Sequence, residues 1–276
     1  MVVILGLTGV FGKLISLNSL HLVWYRMLIA FLSLLVFLAY KKQVFSISKK
    51  DFWGLMGVGA LVTFHWLFFF EAIKVSTVSV AVVCLATSSL FSALIEPIFF
   101  KRKILFYELV MGIVVLASLA YVLGTDSGNI LGYIYGILAA FLGTLFTLFN
   151  AKYINKVDAS KITMIEMLSG VLIIGVILIV KGDYTLFTSF ISVSDFYYLL
   201  ILGTLCTAMV FVWMTEIMRH ITPYSLIMAI NLEPIYSIIL ALLIFGDSEL
   251  MSNSFYIGSS IIIGIVFLEG YLKNKQ

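Results

Sequence analysis

Long apolar runs follow one another along almost the whole chain, and they constrain its fold more than any other feature. A helix needs about 20 apolar residues to cross about 30 Å of hydrocarbon, so each run is long enough for one membrane span. The runs lack the alternation of polar and apolar residues that barrel strands require. The sequence therefore predicts an all-α polytopic membrane protein with ten transmembrane helices. We place them at about 2–19, 20–40, 52–73, 77–100, 104–124, 130–151, 162–180, 196–218, 223–245 and 254–272.

The composition excludes a soluble protein. Hydrophobic residues make up 62% of the 276 positions and charged residues 11%, whereas soluble domains are roughly 45–50% apolar. The two cysteines, Cys84 and Cys206, fall within separate predicted spans and form no metal-ligand cluster. The sequence also lacks the H-E-x-x-H, G-x-S-x-G and phosphate-loop patterns. We expect no metal, no cofactor and no nucleic-acid partner, and we expect the lipid bilayer to be the environment.

Basic residues predict the orientation of the chain. If the N-terminus is cytoplasmic, thirteen of the 17 lysines and arginines fall in segments on the cytoplasmic side. Positively charged loops favour that side of the membrane. An even number of spans then places both termini in the cytoplasm, and we expect a multi-pass protein of the plasma membrane. The other four basic residues are Lys13, Arg26, Lys74 and Lys181.

The two halves of the chain show a weak internal repeat. Each half contains five predicted spans, so the second half must enter the membrane from the opposite side. Such inverted repeats form two bundles around a site near the middle of the membrane. We therefore predict two inverted five-helix units, residues 1–126 and 127–276. An offset of 146 positions superposes Gly57 on Gly203, Ser79 on Ser225, Phe99 on Phe245 and Gly112 on Gly258.

Polar residues in the fourth predicted span are candidates for a solute site. Thr87 and Ser88 lie near its middle, on a face that also carries small residues at steps of four. Small and hydroxyl side chains also let membrane helices pack closely, so close packing is the alternative. Glu96 lies near the cytoplasmic end of the span, where we expect either a coupling role or a pair with a neighbouring basic residue.

The ninth predicted span carries Asn231, Glu233 and Pro234 near its middle. Pro234 cannot donate to the carbonyl of Ile230, so we expect a kink there. A carboxylate at this depth favours a cationic partner or a proton. Glu233 is our leading candidate for a proton site or for a site that binds a substrate ammonium group. On a continuous helix Asn231 and Glu233 lie about 200° apart, so we expect at most one to face a cavity.

Three other spans supply further candidates. His65 and Trp66 lie in the third span and Trp213 in the eighth, where an imidazole and flat rings could contact a solute. Lys13 in the first span is a candidate for binding a carboxylate or for charge coupling. Arg26 and Glu166 lie where long side chains usually extend to the membrane interface, and we expect them to do so.

Several of these motifs resemble those of EamA-type transporters of the drug/metabolite transporter superfamily. They are FHW-x₅-AIKVS from Phe64, Asn231-Leu232-Glu233-Pro234, and the closing Phe245-Gly246-Asp247-Ser248-Glu249. The resemblance implies two inverted five-helix halves and a central cavity lined mainly by spans 1, 3, 4, 6, 8 and 9. It also implies export or exchange of small metabolites such as amino acids. Two positions depart from the pattern: Ser88 replaces a proline in span 4, and Lys103 replaces an acidic residue after it.

We therefore predict a secondary transporter that exports a small organic metabolite by alternating access, driven by the solute gradient or by a coupled proton or other ion. One alternative is an intramembrane enzyme that uses Glu233 and His65 as an acid/base pair on a lipid-linked substrate. Another is a non-transporting partner subunit, which predicts a filled core. The steps Gly132-x-x-x-Gly136 and Ser260-x-x-x-Gly264 suit packing within one chain or between two, so the sequence leaves the oligomeric state open.

Overall fold

The computed structural model describes residues 1–42, 46–103, 105–125, 129–183 and 191–273, and all regular structure within these ranges is helical. A π-helical turn, Thr204–Met209, joins α9 to α10, and a 3₁₀ turn, Gly246–Glu249, follows α12. The α-helices are α1 (Val2–Leu14), α2 (Ser19–Tyr40), α3 (Lys49–Val75), α4 (Val78–Leu85), α5 (Ser88–Phe100), α6 (Phe106–Thr125), α7 (Ile130–Tyr153), α8 (Ala159–Val180), α9 (Val193–Gly203), α10 (Val210–Ile217), α11 (Pro223–Ile230), α12 (Glu233–Phe245) and α13 (Asn253–Lys273).

Most of the described helices are long and apolar enough to cross a membrane. Each predicted run falls on a helix, but seven rather than ten stretches of the described chain reach membrane-spanning length, and three apolar helices are shorter. The seven are Ser19–Tyr40, Lys49–Val75, Val78–Phe100, Ile130–Tyr153, Ala159–Val180, Val193–Ile217 and Pro223–Glu249. The three shorter ones are Val2–Leu14, Phe106–Val122 and Asn253–Ile265. The chain is thus an integral, multi-pass membrane protein.

The first helix is shorter than the predicted span 2–19. α1 ends at Leu14 because Ile15 adopts an extended conformation, and Asn18 then starts α2 by accepting a hydrogen bond from the backbone N–H of His21. An asparagine in this position satisfies one of the free N–H groups at a helix start. The junction between the predicted units, at residues 126 and 127, lies outside the described residues.

Two of the membrane helices are broken near their middle, and the two breaks are alike. α4 and α11 each have 8 residues, and α5 and α12 each have 13. Every bound of the second pair lies 145 positions after its counterpart in the first. The breaks therefore correspond at an offset of 145, one position less than the offset of 146 found in the sequence. The inverted arrangement of the two predicted units stays a prediction.

The two breaks arise from different chemistry. Pro234 occupies the first turn of α12, where a backbone N–H would have no partner within the helix. The same proline stops α11 from continuing into α12, because it has no N–H to donate to the preceding turn. At the first break the hydroxyl of Thr87 donates to the carbonyl of Cys84 at 2.7 Å, and that of Ser89 to the carbonyl of Ala86 at 2.9 Å. Hydroxyl groups that bond to carbonyls of the preceding turn compete with the helix and bend it. Ser88 thus follows a break that needs no proline.

Helix packing places the breaks at the centre of the bundle. α3 packs against α7 and α8, α2 against α8, α1 and α4 against α12, and α5 against α11. The two breaks meet where the Ser88 hydroxyl donates to Asn231 Oδ1 at 3.2 Å. Gly132 and Gly136 pack against Ser76 and Cys84 of the same chain, whereas a side chain at Gly264 would meet no atom within 4 Å. The glycine step in α7 therefore serves packing within one chain.

Candidate functional site

A cavity of about 80 Å³ lies where the two broken helices meet. This volume has room for a few water molecules, since one water needs about 10–15 Å³. The lining comes from the helices of predicted spans 1, 3, 4, 6, 8 and 9, as the resemblance implies, and also from α2. The lining residues are Leu5, Thr8, Arg26, His65, Trp66, Phe69, Leu85, Ser88, Ala140, Gly143, Phe146, Thr147, Phe211, Met214, Ile227, Ile230, Asn231 and Glu233.

Arg26 lines this cavity from α2, and its side chain is almost wholly buried, with 1% of the residue exposed. The π-helical turn holds it: Nε donates to Thr207 Oγ1 at 2.6 Å, and Nη2 to the carbonyl of Cys206 at 3.5 Å. The guanidinium carbon also lies 3.9 Å from the centre of the Trp66 ring, a favourable arrangement for a cation and an aromatic face. Arg26 is therefore fixed in the membrane interior and does not extend to the interface.

Three polar groups in the cavity lack a partner within the described structure. They are Nη1 of Arg26, Nδ2 of Asn231 and Oγ1 of Thr8, and all three are shielded from solvent. Leaving a buried donor without a hydrogen bond costs about 1–3 kcal/mol, and more for a charged group. The guanidinium fork matches the geometry of a carboxylate or phosphate. The cavity thus offers two N–H donors and a hydroxyl suited to an anionic group.

Glu233 supplies a negative charge to the same cavity. It begins α12, is 5% exposed, and interacts electrostatically with Arg26. None of the salt bridges found among the described residues involves its carboxylate. The expectation that at most one of Asn231 and Glu233 faces the cavity is wrong, because the chain leaves the helical path between them. The break brings both side chains to the same space.

Aromatic rings form the apolar wall of the cavity. Trp66 and Phe211 meet edge to face at 4.9 Å between ring centres, and Phe146 packs between Phe211 and His65 at 5.8 and 5.3 Å. His65 Nδ1 lies 2.7 Å from the carbonyl of Ala139. This bond fixes the imidazole against α7. In the described residues no hydrogen bond joins His65 to Glu233, which the acid/base alternative would require.

Two residues proposed from the sequence as solute contacts lie outside the cavity. Trp213 is 45% exposed and lines grooves on the outer surface of α10, because Phe211 and Met214 occupy the inward face of that helix. Thr87 is fully buried, and its hydroxyl bonds to the carbonyl of Cys84, so it shapes the helix break. His65, Trp66, Ser88, Asn231 and Glu233 do line the cavity.

The other two coupling candidates also lie outside the cavity, in ion pairs. Lys13 Nζ is 2.8 Å from Glu249 Oε1, so it does not present a free charge to a solute. Glu96 Oε1 is 3.4 Å from Arg102 Nε. Of the three charged side chains proposed from the sequence for coupling, Glu233 is therefore the one that reaches the central cavity.

Glu249 ties several helices together at one end of the bundle. Its buried carboxylate pairs with Lys13 of α1 and accepts hydrogen bonds from the backbone N–H groups of Val78 and Ser79 at 3.0 and 3.1 Å. An acidic group is favourable at the start of a helix, as here at α4. At the same end, Asp195 of α9 accepts hydrogen bonds from Ser16. We call the contacts of Glu249 and Asp195 the end clasp.

The sequence interpretation missed Arg26 and Thr8, as well as the rings of Phe146 and Phe211. The signal for Arg26 was present, because a charge inside an apolar run is costly and usually functional. Its depth was misjudged, since the sequence does not show that a π-helical turn and Trp66 hold it. The phenylalanines carry no such signal, because 23 of them are spread along the chain.

Comparison with known proteins identifies the fold and the family. A model of the EamA-like transporter family matches residues 1–124 and 130–269. The chain belongs to the EamA-like transporter family. It is a member of the drug/metabolite transporter superfamily, and it is a membrane transporter.

Two relatives extend this result. The chain is 24% identical over 250 residues to the uncharacterized transporter YxxF of Bacillus subtilis (strain 168), covering 86% of this chain and 77% of that protein. A protein solved by crystallography superposes with a TM-score of 0.71 at 14% identity, over 96% of this chain and 93% of the other. This second likeness shows that the two chains share a fold.

Proposed function

We propose that this EamA transporter exports a small zwitterionic solute of the amino-acid class by alternating access. The observation that carries the proposal is the pair of unpartnered buried donors, Arg26 Nη1 and Asn231 Nδ2, in the cavity that Glu233 also lines. A cavity that presents both signs of charge suits a molecule that carries both. Its small volume and aromatic wall favour a compact solute with an apolar part.

Each end of such a solute has a counterpart in the cavity. The carboxylate would accept a charge-assisted hydrogen bond from the Arg26 guanidinium and a second hydrogen bond from the neutral Asn231 amide. The ammonium group would bind the Glu233 carboxylate. The apolar part would contact Trp66, Phe146 and neighbouring rings. In this arrangement Ser88 positions the Asn231 amide through its hydrogen bond to Oδ1.

The arrangement of the broken helices supports movement between a state open to the cytoplasm and a state open to the outside. Broken helices that meet at a site near the middle of a membrane are typical of transporters with alternating access. The end clasp joins α1 and α4 to residues of the second predicted unit at one end. By the distribution of basic residues, that end faces outward. We infer that this state is closed to the outside and that the solute enters the cavity from the cytoplasm.

Counterflow in liposomes tests the proposal. Three labelled probes are used: a zwitterionic amino acid with an apolar side chain, its decarboxylated amine, and its deaminated carboxylic acid. We expect saturable counterflow of the zwitterion. Arg26→Gln should weaken its apparent affinity tenfold or more, roughly the effect of losing a charged hydrogen bond. The control is Arg219→Gln, since Arg219 pairs with the half-exposed Glu216 away from the cavity.

The pattern of competition separates the two ends of the solute. Arg26→Gln should abolish competition by the carboxylic acid, and Glu233→Gln should abolish competition by the amine. Unchanged zwitterion affinity in Arg26→Gln, or counterflow of the amine alone, would contradict the proposal. Failure of all three probes to move in vesicles that contain folded wild-type protein would contradict the solute class.

A further inference from the structure

Glu166 is a second buried acidic residue, and it does not line the central cavity. It lies in α8, where 0% of the residue is exposed. α8 packs closely on α3 here: a Cβ added to Gly59 would lie 2.7 Å from the Glu166 carbonyl oxygen and 2.8 Å from its Cα. The Ser169 hydroxyl, one turn later, donates to the carbonyl of Met56 at 2.7 Å. The α3–α8 contact leaves no space for a charged side chain at Gly59.

Both carboxyl oxygens of Glu166 lack a hydrogen-bond partner. The Asn150 side chain comes within weak reach of the carboxyl, but without the geometry of a normal hydrogen bond. Asn150 Oδ1 and Thr163 Oγ1 are also buried and unpartnered. The carboxyl of Glu166 is therefore buried without a cationic partner or a well-formed hydrogen bond, beside an amide that can donate or accept.

The charged groups on neighbouring elements do not compensate Glu166. α3 has no ionisable residue between Phe52 and Phe64, and α2 has none between Met27 and Ala39. Met27 marks where α2 meets α8, at Gly170. None of the salt bridges among the described residues involves Glu166. On α7, Tyr153 ends the helix and Lys152 lies over the Phe99 ring, and on α8 Lys161 is about 140° round the helix. Glu216 of α10 pairs with Arg219, and Arg26 of α2 is held by Thr207.

We propose that Glu166 is a proton-binding site separate from the solute cavity. In this state the carboxyl is a neutral acid, because an uncompensated buried anion is strongly unfavourable. Its O–H can donate to Oδ1 of Asn150, a buried acceptor that otherwise lacks a partner and belongs to the side chain beside the carboxyl. When α3 and α8 part, water reaches the carboxyl and the proton leaves to water.

The site offers a route to coupling that is independent of Glu233. Gly59 and Trp66 lie seven residues apart on α3, about two turns, so the same helix contacts both Glu166 and the solute cavity. A shift of α3 that opens or closes the cavity would also expose or bury the Glu166 carboxyl. If the carboxyl takes up a proton from one side of the membrane and releases it to the other as α3 shifts, the proton gradient would drive solute movement, a role that rests on the proposed function.

Infrared spectroscopy tests the proton site without transport. The spectrum of wild-type protein in lipid nanodiscs at neutral pH, minus that of Glu166→Gln, should contain the C=O stretch of a protonated carboxylic acid, shifted in deuterium oxide. Glu216→Gln, which changes a half-exposed carboxyl on α10, should give no such difference. Glu166→Leu is a second variant that should give the same difference if the glutamine variant does not fold. A missing band overturns the proposal, as does a band that sodium ions remove.

Liposome transport tests the coupling role. Glu166→Gln should keep solute counterflow but lose the stimulation of net movement by an imposed pH gradient, because glutamine cannot release a proton. Glu216→Gln should keep both activities. Unchanged pH stimulation in Glu166→Gln overturns the coupling role. If no solute moves in any variant while the infrared difference is present, the proton site stands and the proposed function fails.

Discussion

One end of the Asn231 side chain is hydrogen-bonded within the protein, and the other end has no partner in the cavity. Its Oδ1 accepts a hydrogen bond from Ser88, and its Nδ2 has no partner although the residue is 2% exposed. Arg26 is divided in the same way, because Nε is held by Thr207 while Nη1 has no partner. In each residue the bonded end fixes the position of the end that lacks a partner. Such preorganisation lets a site bind its ligand without first ordering the side chains.

The variant Asn231→Asp tests whether the Nδ2 donor of Asn231 binds the solute. Aspartate has nearly the same shape and keeps an acceptor for Ser88, but it replaces the Nδ2 donor with an oxygen. We expect the apparent affinity for a solute carboxylate to fall about tenfold or more. The measurement is the half-saturating concentration in counterflow. Ser88→Ala, which removes the bond to Oδ1 and leaves the donor, should have a smaller effect, and equal effects of the two variants would contradict the assignment.

The broken helices and the π-helical turn are the elements that create the cavity. Each breaks the regular bonding of a membrane helix and leaves its backbone or side-chain groups facing protein rather than lipid, where irregular backbone is tolerated. The turn Thr204–Met209 places Thr207 and the carbonyl of Cys206 against Arg26. Such π turns recur at functional sites. The irregular elements thus position the polar groups of the cavity. The regular helix α3 contacts both this cavity and α8.

The contact between α3 and α8 is tested by two glycines of the same helix. Gly59→Ala places a methyl group within 2.8 Å of the Glu166 backbone, so we expect a loss of stability of roughly 1–3 kcal/mol. Gly57→Ala meets no atom within 4 Å, and alanine favours a helix, so it should leave stability unchanged or raise it by up to about 1 kcal/mol. Thermal unfolding of the two variants in detergent is the measurement. Equal melting temperatures would show that α8 can shift to accommodate the methyl group, and would contradict a tight contact between α3 and α8.

On the scale of the whole molecule, the ion pairs differ between the two ends. The end clasp joins residues far apart in the chain, with Glu249 contacting both α1 and α4. Away from it, Arg102 pairs with Glu96 and Glu108, and Arg219 with Glu216, so these pairs stay within one predicted unit. We infer that opening at the clasp end must break the pair between Lys13 and Glu249.

Replacing Lys13 by methionine should therefore favour a state that is open at the clasp. The change removes the cation but leaves Glu249 bonded to the start of α4. A cysteine introduced at Thr8, inside the cavity, should react about fivefold faster with an impermeant maleimide from the outside, since a partly exposed pair contributes about 1 kcal/mol. Lys181→Met, at the exposed end of α8, is the control. An unchanged labelling rate, or an equal rise in the control, would contradict the inferred gate.

The sequence by itself determined that this is an all-helical membrane protein of the EamA family. Membrane insertion depends on mean hydropathy over about 20 residues, which is a local property. Apolar runs therefore predicted the helices, and Pro234 predicted an irregularity in the ninth span. The cost of polar groups in a membrane also pointed to His65, Ser88, Asn231 and Glu233, which line the cavity.

Only the tertiary structure decided which polar side chains face the cavity and which are already bonded. Lys13 and Arg26 are both isolated basic residues in apolar runs, yet Lys13 pairs with a residue 236 positions away and Arg26 keeps an unpartnered nitrogen. That difference depends on contacts between distant segments, which hydropathy and helical spacing do not encode. The same holds for Glu166, whose isolation follows from the packing of α3 against α8. Burial and pairing are properties of the folded bundle, and they separate a structural charge from one that is available to a ligand.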